Sequence, residues 1–160
     1  MEIMKINMSF DGNVKQGYTN IDPFALPNDK PHKLNCHPDN LDILVNDGEA
    51  EEILAHNVLN YIENNKLFFV LKSWCKKLSH NGILEIIYVD IVEICRLLTT
   101  NQIKENIAIS LIYGNQKEFW DFYKSSISIY ELKKFFEAEG MIIESAGKLE
   151  HLSKIRIRRR

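Results

Sequence analysis

Two polar side chains with useful chemistry follow predicted strands in the first part of the chain. Asp22 ends a short β-type run that starts at Tyr18, and His56 follows a brief strand predicted over 52–55. Histidine exchanges protons near neutral pH, so His56 is a candidate catalytic base. Each residue also has an ordinary structural role. An acid at a strand end often only caps it, and a histidine between strand and helix is more often simply exposed.

The cysteines and the clustered acids carry no metal or disulfide signature. Cys36, Cys75 and Cys95 are odd in number and form no Cys-x-x-Cys pair, so we expect reduced thiols and no zinc site. The glutamates between 49 and 52 resemble a paired-carboxylate site only superficially, since adjacent acids in a polar turn are usually exposed. No metal is predicted.

The composition is that of an ordinary globular protein. The 160 residues are 45% hydrophobic and 26% charged, with a net charge of -2, which predicts one soluble domain over 1–160. The longest apolar runs fall far short of the roughly 20 residues that cross a bilayer. We expect no membrane association and, without a secretion signal at the N-terminus, a cytoplasmic location.

Periodicity predicts the elements that position these side chains. Strands are expected at 6–10, 18–22, 52–55, 83–89, 141–146 and 150–158, and helices at 58–78, 91–98, 103–111 and 128–140. The first helix is expected to break near Asn64, and the proline-rich stretch 23–40 is expected to be mostly loop. The alternation predicts an α/β fold: a three-layer Rossmann-like sandwich with a mostly parallel sheet and an antiparallel C-terminal strand pair.

Five short stretches stand out, at residues 6–11, 17–22, 55–61, 78–84 and 131–141. In this order and spacing they resemble class I S-adenosylmethionine (SAM) dependent methyltransferases over nearly the whole chain. Family members often read Leu-Asn-Leu-Gly-Cys-Gly, Gly-Tyr-Ile-Asn-Val-Asp, Ala-x-His-Val-Leu-Glu-His, Leu-Lys-Pro-Gly-Gly-x-Leu and Glu-Leu-x-x-x-Leu-x-x-x-Gly-Phe. The five stretches are the counterparts of these motifs, in the same order.

The resemblance implies a cofactor, SAM, and a set of site residues. Asp22 matches the acid that holds the ribose hydroxyls, and the adenine would lie near 36–41. The loop of Ser9, Phe10, Asp11 and Gly12 would meet the methionine end of the cofactor. His56 and Asn57 would line the floor between cofactor and substrate, with His56 as the proton acceptor.

The same comparison shows departures from the family pattern. Ser9 and Asp11 replace both glycines of the first loop, and the Asp11 carboxylate would repel the cofactor's carboxylate; Gly12 rescues the turn if the loop is shifted by one residue. The link between the first two strands is short for a crossover helix, so that helix is expected to be missing or reduced. The motifs of DNA base methylation are absent from the sequence.

Two further features have two readings each. The aromatic stretch 113–123 is either a lid that stacks on a substrate or ordinary packing, and the second is commoner. The basic tail Arg156–Arg160 could contact nucleic acid, but alternation turns Ile155 and Ile157 inward and leaves the arginines solvated.

The sequence therefore predicts a SAM-dependent methyltransferase that acts on an unidentified small-molecule or macromolecular substrate. The alternative is a catalytically inactive methyltransferase-like binding or assembly module that has lost productive cofactor binding. The substituted loop favours the alternative, and Asp22 with His56 and Asn57 favours the enzyme. Substrate and oligomeric state are not readable from the sequence.

Overall fold

A computed structural model describes residues 4–10, 13–26, 28 and 33–160. The predicted site residues Asp11 and Gly12 lie outside the described residues. The strands are β1 (Met4–Met8), β2 (Thr19–Ile21), β3 (Ala50–His56), β4 (Leu78–Tyr88), β5 (Ile142–Leu149) and β6 (Leu152–Arg158). The α-helices are α1 (Leu67–Lys77), α2 (Ile91–Thr99), α3 (Glu105–Tyr113) and α4 (Ile129–Ala138), and short 3-10 turns occupy Leu41–Ile43 and Leu59–Tyr61.

The strands form one mixed sheet in the order β2-β1-β3-β4-β6-β5. The first four strands in that order pair in parallel, and β6 pairs antiparallel with both β4 and β5. The predicted α/β class, with a mostly parallel sheet and an antiparallel C-terminal pair, is confirmed. An isolated parallel bridge joins Ile21 to Leu34, which lies in the stretch expected to be mostly loop.

Side-chain alternation along the strands divides the sheet into two faces. The covered face carries fully buried apolar residues in register across four strands: Ile6, Met8, Ile53, Ala55, Leu84, Ile86, Ile155 and Ile157. Helices α1 and α4 contact the strands and contribute Trp74 and Phe136 to the same core.

The polar face carries the alternate residues of the same strands, including Asn7, Glu52, His56, Glu85 and Arg156. Residues 13–18, in the link between β1 and β2, contain no helix, as the short link predicts. Helices α2 and α3 pack mainly against each other beyond the carboxyl end of β4. Within the described residues the helical layer on the polar face is therefore thin.

Local signals fix the ends of several helices. Asp90 caps α2 by accepting from the backbone N–H of Val92 and Glu93 at 2.9 and 3.3 Å. Ser128 caps α4 by accepting from the N–H of Glu131 at 3.2 Å, as the capping box predicts. No described helix is both long and apolar enough to cross a bilayer.

Two boundaries differ from the prediction. The helix expected over 58–78 is a 3-10 turn at Leu59–Tyr61 followed by α1, so the expected break is real. Residues 79–82, expected to form a turn, belong to β4, with Asn81 in the left-handed region (φ 62°). A Cβ on Gly82 would lie 2.8 Å from the carbonyl oxygen of Ala50, so only glycine fits where the two strands approach there.

Candidate functional site

The carboxyl ends of the parallel strands gather the predicted site residues at one edge of the sheet. Ser9 follows β1 and its N–H donates to the carbonyl oxygen of Ile21 at 3.1 Å, beside Asp22. His56 ends β3, and the N–H of Asn57 donates to the carbonyl of Ile87 at 2.8 Å. Ligands of open α/β sheets bind at this edge.

A pocket of about 370 Å³ opens on the polar face where β1 and β3 end. Its described lining combines polar and apolar residues: Asn7, Met8, Ser9, Asn13, Val14, Lys15, Leu54, His56, Asn57, Ile87, Leu149 and Leu152. Ser9, His56 and Asn57 thus meet in one cavity of a size that suits a small ligand. Phe10 and Asp22 are not part of this lining.

His56 is held by a carboxylate that sequence reasoning missed. Its Nε2 lies 2.9 Å from Oε1 of Glu85, across the β3–β4 pair. Glu85 is 9% exposed and also contacts Lys154 and Arg156, at 3.1 and 3.2 Å. Burial tends to raise the pKa of Glu85, but hydrogen bonds from Lys154 and His56 outweigh it and hold that pKa below its ordinary value.

A carboxylate bound to one nitrogen of an imidazole fixes the orientation of the ring, which suits proton transfer at the other nitrogen. The sequence held one signal for Glu85. It is the only charged residue within the apolar run 83–89, and a charge in a buried strand needs partners.

The loop before β2 is held by two buried amides that sequence reasoning also missed. Asn7 and Asn20 are 6% and 8% exposed, and Nδ2 of Asn7 donates to Oδ1 of Asn20 at 2.8 Å. Asn20 accepts from the N–H of Lys15 at 2.7 Å and donates to its carbonyl at 3.0 Å. Asn7 also donates to the carbonyl of Asn13 at 2.9 Å. These bonds shape residues 13–15 into one wall of the pocket.

Asp22 lies along the same edge at the end of β2, and it is buried. Its Oδ1 accepts from the N–H of Phe24 at 2.9 Å, the local bond of an aspartate that starts a turn. Its Oδ2 lies 3.7 Å from Nζ of Lys33. The strand-end role is therefore present in the structure, and the carboxylate also has a cationic neighbour.

Neither a protein-family model nor a curated protein sequence matches this chain. Solved structures match it over almost its whole length. One is the 1,6-didemethyltoxoflavin-N1-methyltransferase of Burkholderia thailandensis with bound 1,6-didemethyltoxoflavin and S-adenosylhomocysteine, with TM-score 0.63, 9% identity and 98% of this chain covered. A second is an O-methyltransferase family protein of the same organism, with TM-score 0.63, 8% identity and 98% covered. A third is a SAM-dependent methyltransferase of Archaeoglobus fulgidus, with TM-score 0.65, 9% identity and 98% covered.

The chain has a class I methyltransferase-like fold. It spans 72%, 51% and 86% of those three chains. Identities this low establish the shared fold and leave activity and ligands to be argued from the site.

In this methyltransferase-like fold, aromatic rings fill the edge between β1 and the Leu59–Tyr61 turn. Phe10 is 7% exposed and stacks on Tyr61, with ring centroids 4.4 Å apart. The ring of Trp120 lies 5.9 Å from Phe10 and stacks on Phe24 at 5.0 Å. Phe10 thus belongs to the core together with Ile6 and Met8, as the alternation of apolar residues over 6–10 indicates.

The segment 113–123 is pinned to the same cluster. Tyr61 donates its hydroxyl to Oδ1 of the buried Asp121 at 2.8 Å, and burial followed by this bond raises the pKa of Tyr61 well above its ordinary value. Trp120 and Tyr123 pack against the core, whereas Phe119 is 83% exposed. Part of the segment is therefore packing, as the commoner reading holds, and Phe119 presents a ring to solvent.

The remaining candidate regions have partners within the fold. Cys36 and Leu41, in the stretch expected near adenine, are buried, and burial raises the pKa of Cys36 to about 11. In the basic tail, Arg156 contacts Glu85, and Nε of Arg158 lies 3.0 Å from Glu144. The described residues contain no group of three or more His, Cys, Asp or Glu able to hold a metal ion.

Proposed function

We propose that this chain is a SAM-dependent methyltransferase with its cofactor at the carboxyl edge of β1, β2 and β3. The observation that carries the proposal is the pocket of about 370 Å³ that brings Ser9, His56 and Asn57 together in a methyltransferase-like fold. The didemethyltoxoflavin methyltransferase that shares this fold has S-adenosylhomocysteine bound. The acceptor substrate stays unidentified.

The residues of the pocket fit such a cofactor chemically. Its lining offers the Ser9 hydroxyl, the Asn57 amide and the ammonium of Lys15, together with apolar side chains such as Leu54 and Ile87. The described lining residues include no carboxylate; Asp11, which is expected to repel the anionic end of the cofactor, lies outside the described residues. Asp22 would receive the ribose hydroxyls farther along the same edge.

When bound, SAM supplies an electrophilic methyl group, and the protein's main contribution is to orient the acceptor in line with it. His56, oriented by Glu85, accepts the proton that the acceptor loses. This chemistry requires no metal ion.

The deciding experiment is calorimetric titration with SAM and with S-adenosylhomocysteine. Binding with a dissociation constant below about 1 mM supports the proposal, and the absence of heat and of a thermal shift at millimolar ligand excludes it.

Asp22→Ala tests the placement of the cofactor. We expect it to weaken S-adenosylhomocysteine binding at least about tenfold, because a carboxylate that accepts two hydroxyl bonds is lost. Asp47→Ala is the matched control, since Asp47 contacts Lys77 and lies outside the described lining of the pocket. Unchanged binding by a folded Asp22→Ala variant would show that the ribose of the cofactor does not lie at the end of β2.

A second candidate is a binding or assembly module without productive cofactor binding. It is favoured by the aromatic rings that fill the edge where the cofactor would lie. The Phe10 ring, packed between Tyr61 and Trp120, occupies the edge between β1 and β3, and Asp22 already has Phe24 and Lys33 as partners. This candidate predicts a folded wild-type protein that binds neither SAM nor S-adenosylhomocysteine, so the same titration separates the two.

A further inference from the structure

Lys15 is the lysine that lines the pocket at the end of β1 and β3. Among the described residues, no carboxylate lies within ion-pair distance of its ammonium, which sits 4.5 Å from the centroid of the Tyr18 ring. Among the described lining residues the other basic side chain is His56, which already faces Glu85. Lys15 is therefore the cation available to an anionic group bound there.

The backbone of Lys15 is fixed although its side chain is exposed. The Asn20 side chain bonds both the N–H and the carbonyl of Lys15, at 2.7 and 3.0 Å. Asn20 is buried and is held in turn by the buried Asn7 at 2.8 Å. Two buried amides thus serve to place one exposed lysine at the mouth of the cavity.

We propose that Lys15 binds the carboxylate at the amino-acid end of the cofactor, an inference that rests on the proposed function. Ser9, which stands where the family carries a glycine, leaves less room for backbone amides to meet that carboxylate. An ammonium group on a fixed loop supplies the charge instead, and it forms a charge-assisted hydrogen bond with the carboxylate. The apolar side of the pocket, formed by residues such as Leu54 and Ile87, then faces the thioether chain.

Two probes isolate this contact. S-Adenosylhomocysteine has the carboxylate, and 5′-methylthioadenosine has the same adenosyl and thioether groups without the amino-acid end. We expect Lys15→Ala to weaken S-adenosylhomocysteine binding about tenfold and to leave 5′-methylthioadenosine binding unchanged. Lys15→Arg should retain most of the affinity because it keeps the charge.

Lys5→Ala is the matched control. Lys5 also lies over the Tyr18 ring, with its ammonium 5.9 Å from the ring centroid, and its substitution removes the same charge. Lys5 lines a different cavity, at the amino end of the sheet. We expect this variant to bind both probes as the wild type does.

Each other outcome has a distinct meaning. If Lys15→Ala binds S-adenosylhomocysteine as the wild type does, or loses both probes equally, the role of Lys15 is refuted and the cofactor proposal stands. If the wild type binds 5′-methylthioadenosine and S-adenosylhomocysteine equally, the carboxylate has no partner and the inference fails. If the wild type binds neither probe, both proposals fail.

Discussion

The two faces of the sheet are built from the same strands but are stabilised by different interactions. On the covered face, Ile86 is fully buried in a core formed by residues of five strands and two helices. On the polar face, Glu85 collects Lys154, Arg156 and His56 around one buried carboxylate. Apolar burial stabilises the fold without regard to direction, whereas the charged network fixes particular side chains beside the pocket.

The largest expected effect comes from a pair of neighbours in β4. Ile86→Ala removes a fully buried side chain from the covered face, and we expect it to lower the free energy of unfolding by about 3 kcal/mol or more. Ile87→Ala truncates the next residue, which is half-buried on the polar face, and should cost about 1 kcal/mol. Urea unfolding of the two variants measures both values, and equal costs would show that the polar face is covered as fully as the other.

The sequence of β4 indicates why one face was easier to predict than the other. The almost continuously apolar run 83–89 predicts a strand buried on both faces, and the existence of β4 and the core position of Ile86 follow from that pattern. The pattern did not reveal that Ile83 and Ile87 are only half-buried. That depends on how much helix covers the polar face, which the short link between β1 and β2 indicated only in part.

The site was predictable where it depends on strand ends and not where it depends on pairing. His56 and Asn57 reach the carboxyl edge because β3 ends there, and Ser9 does so because β1 ends there. The contact of His56 with Glu85 joins residues 29 positions apart, and it exists only because Leu54 and Glu85 are in register. The loop at Lys15 likewise depends on the pairing of Asn7 with Asn20 across β1 and β2. The structure shows where the described residues of the predicted site lie, but their roles stay predictions: His56 as the catalytic residue, and Ser9, Phe10, Asp11, Gly12, Asp22 and Asn57 as cofactor residues.

An intermediate effect is expected from Glu85→Gln, and its pH dependence is the informative part. The pKa of Glu85 is lower in the folded state than its ordinary value of 4.5. Its charge therefore stabilises the fold above the unfolded-state pKa, and this contribution is lost as the pH falls through the folded-state pKa. We expect the stability difference between wild type and variant to be full at pH 7 and to shrink below about pH 4.

Urea unfolding of both proteins between about pH 7 and pH 3 measures this difference, and Glu144→Gln serves as the control because Glu144 pairs with arginines at a more exposed position. If the stability difference between wild type and Glu85→Gln stays constant over that range, the charge of Glu85 contributes nothing to stability. The proposed orientation of His56 by this charge would then fail.

The smallest expected effect is at the rim of the same network. Arg158 contacts Glu144 and Asn81, whereas Arg156 contacts Glu52, Glu85 and Glu144. An exposed ion pair contributes about 0–1 kcal/mol, so Arg158→Ala should lower the free energy of unfolding by less than about 1 kcal/mol. Salt should reduce that difference further, because it screens exposed charges. Arg156→Ala should lower the free energy of unfolding by more, and salt should change that loss less, because the variant removes a cationic partner of the buried Glu85. If both variants lose the same free energy of unfolding, and salt reduces both losses equally, the whole polar face behaves as solvated surface. Glu85 would then be screened by water and would not organise the charged network.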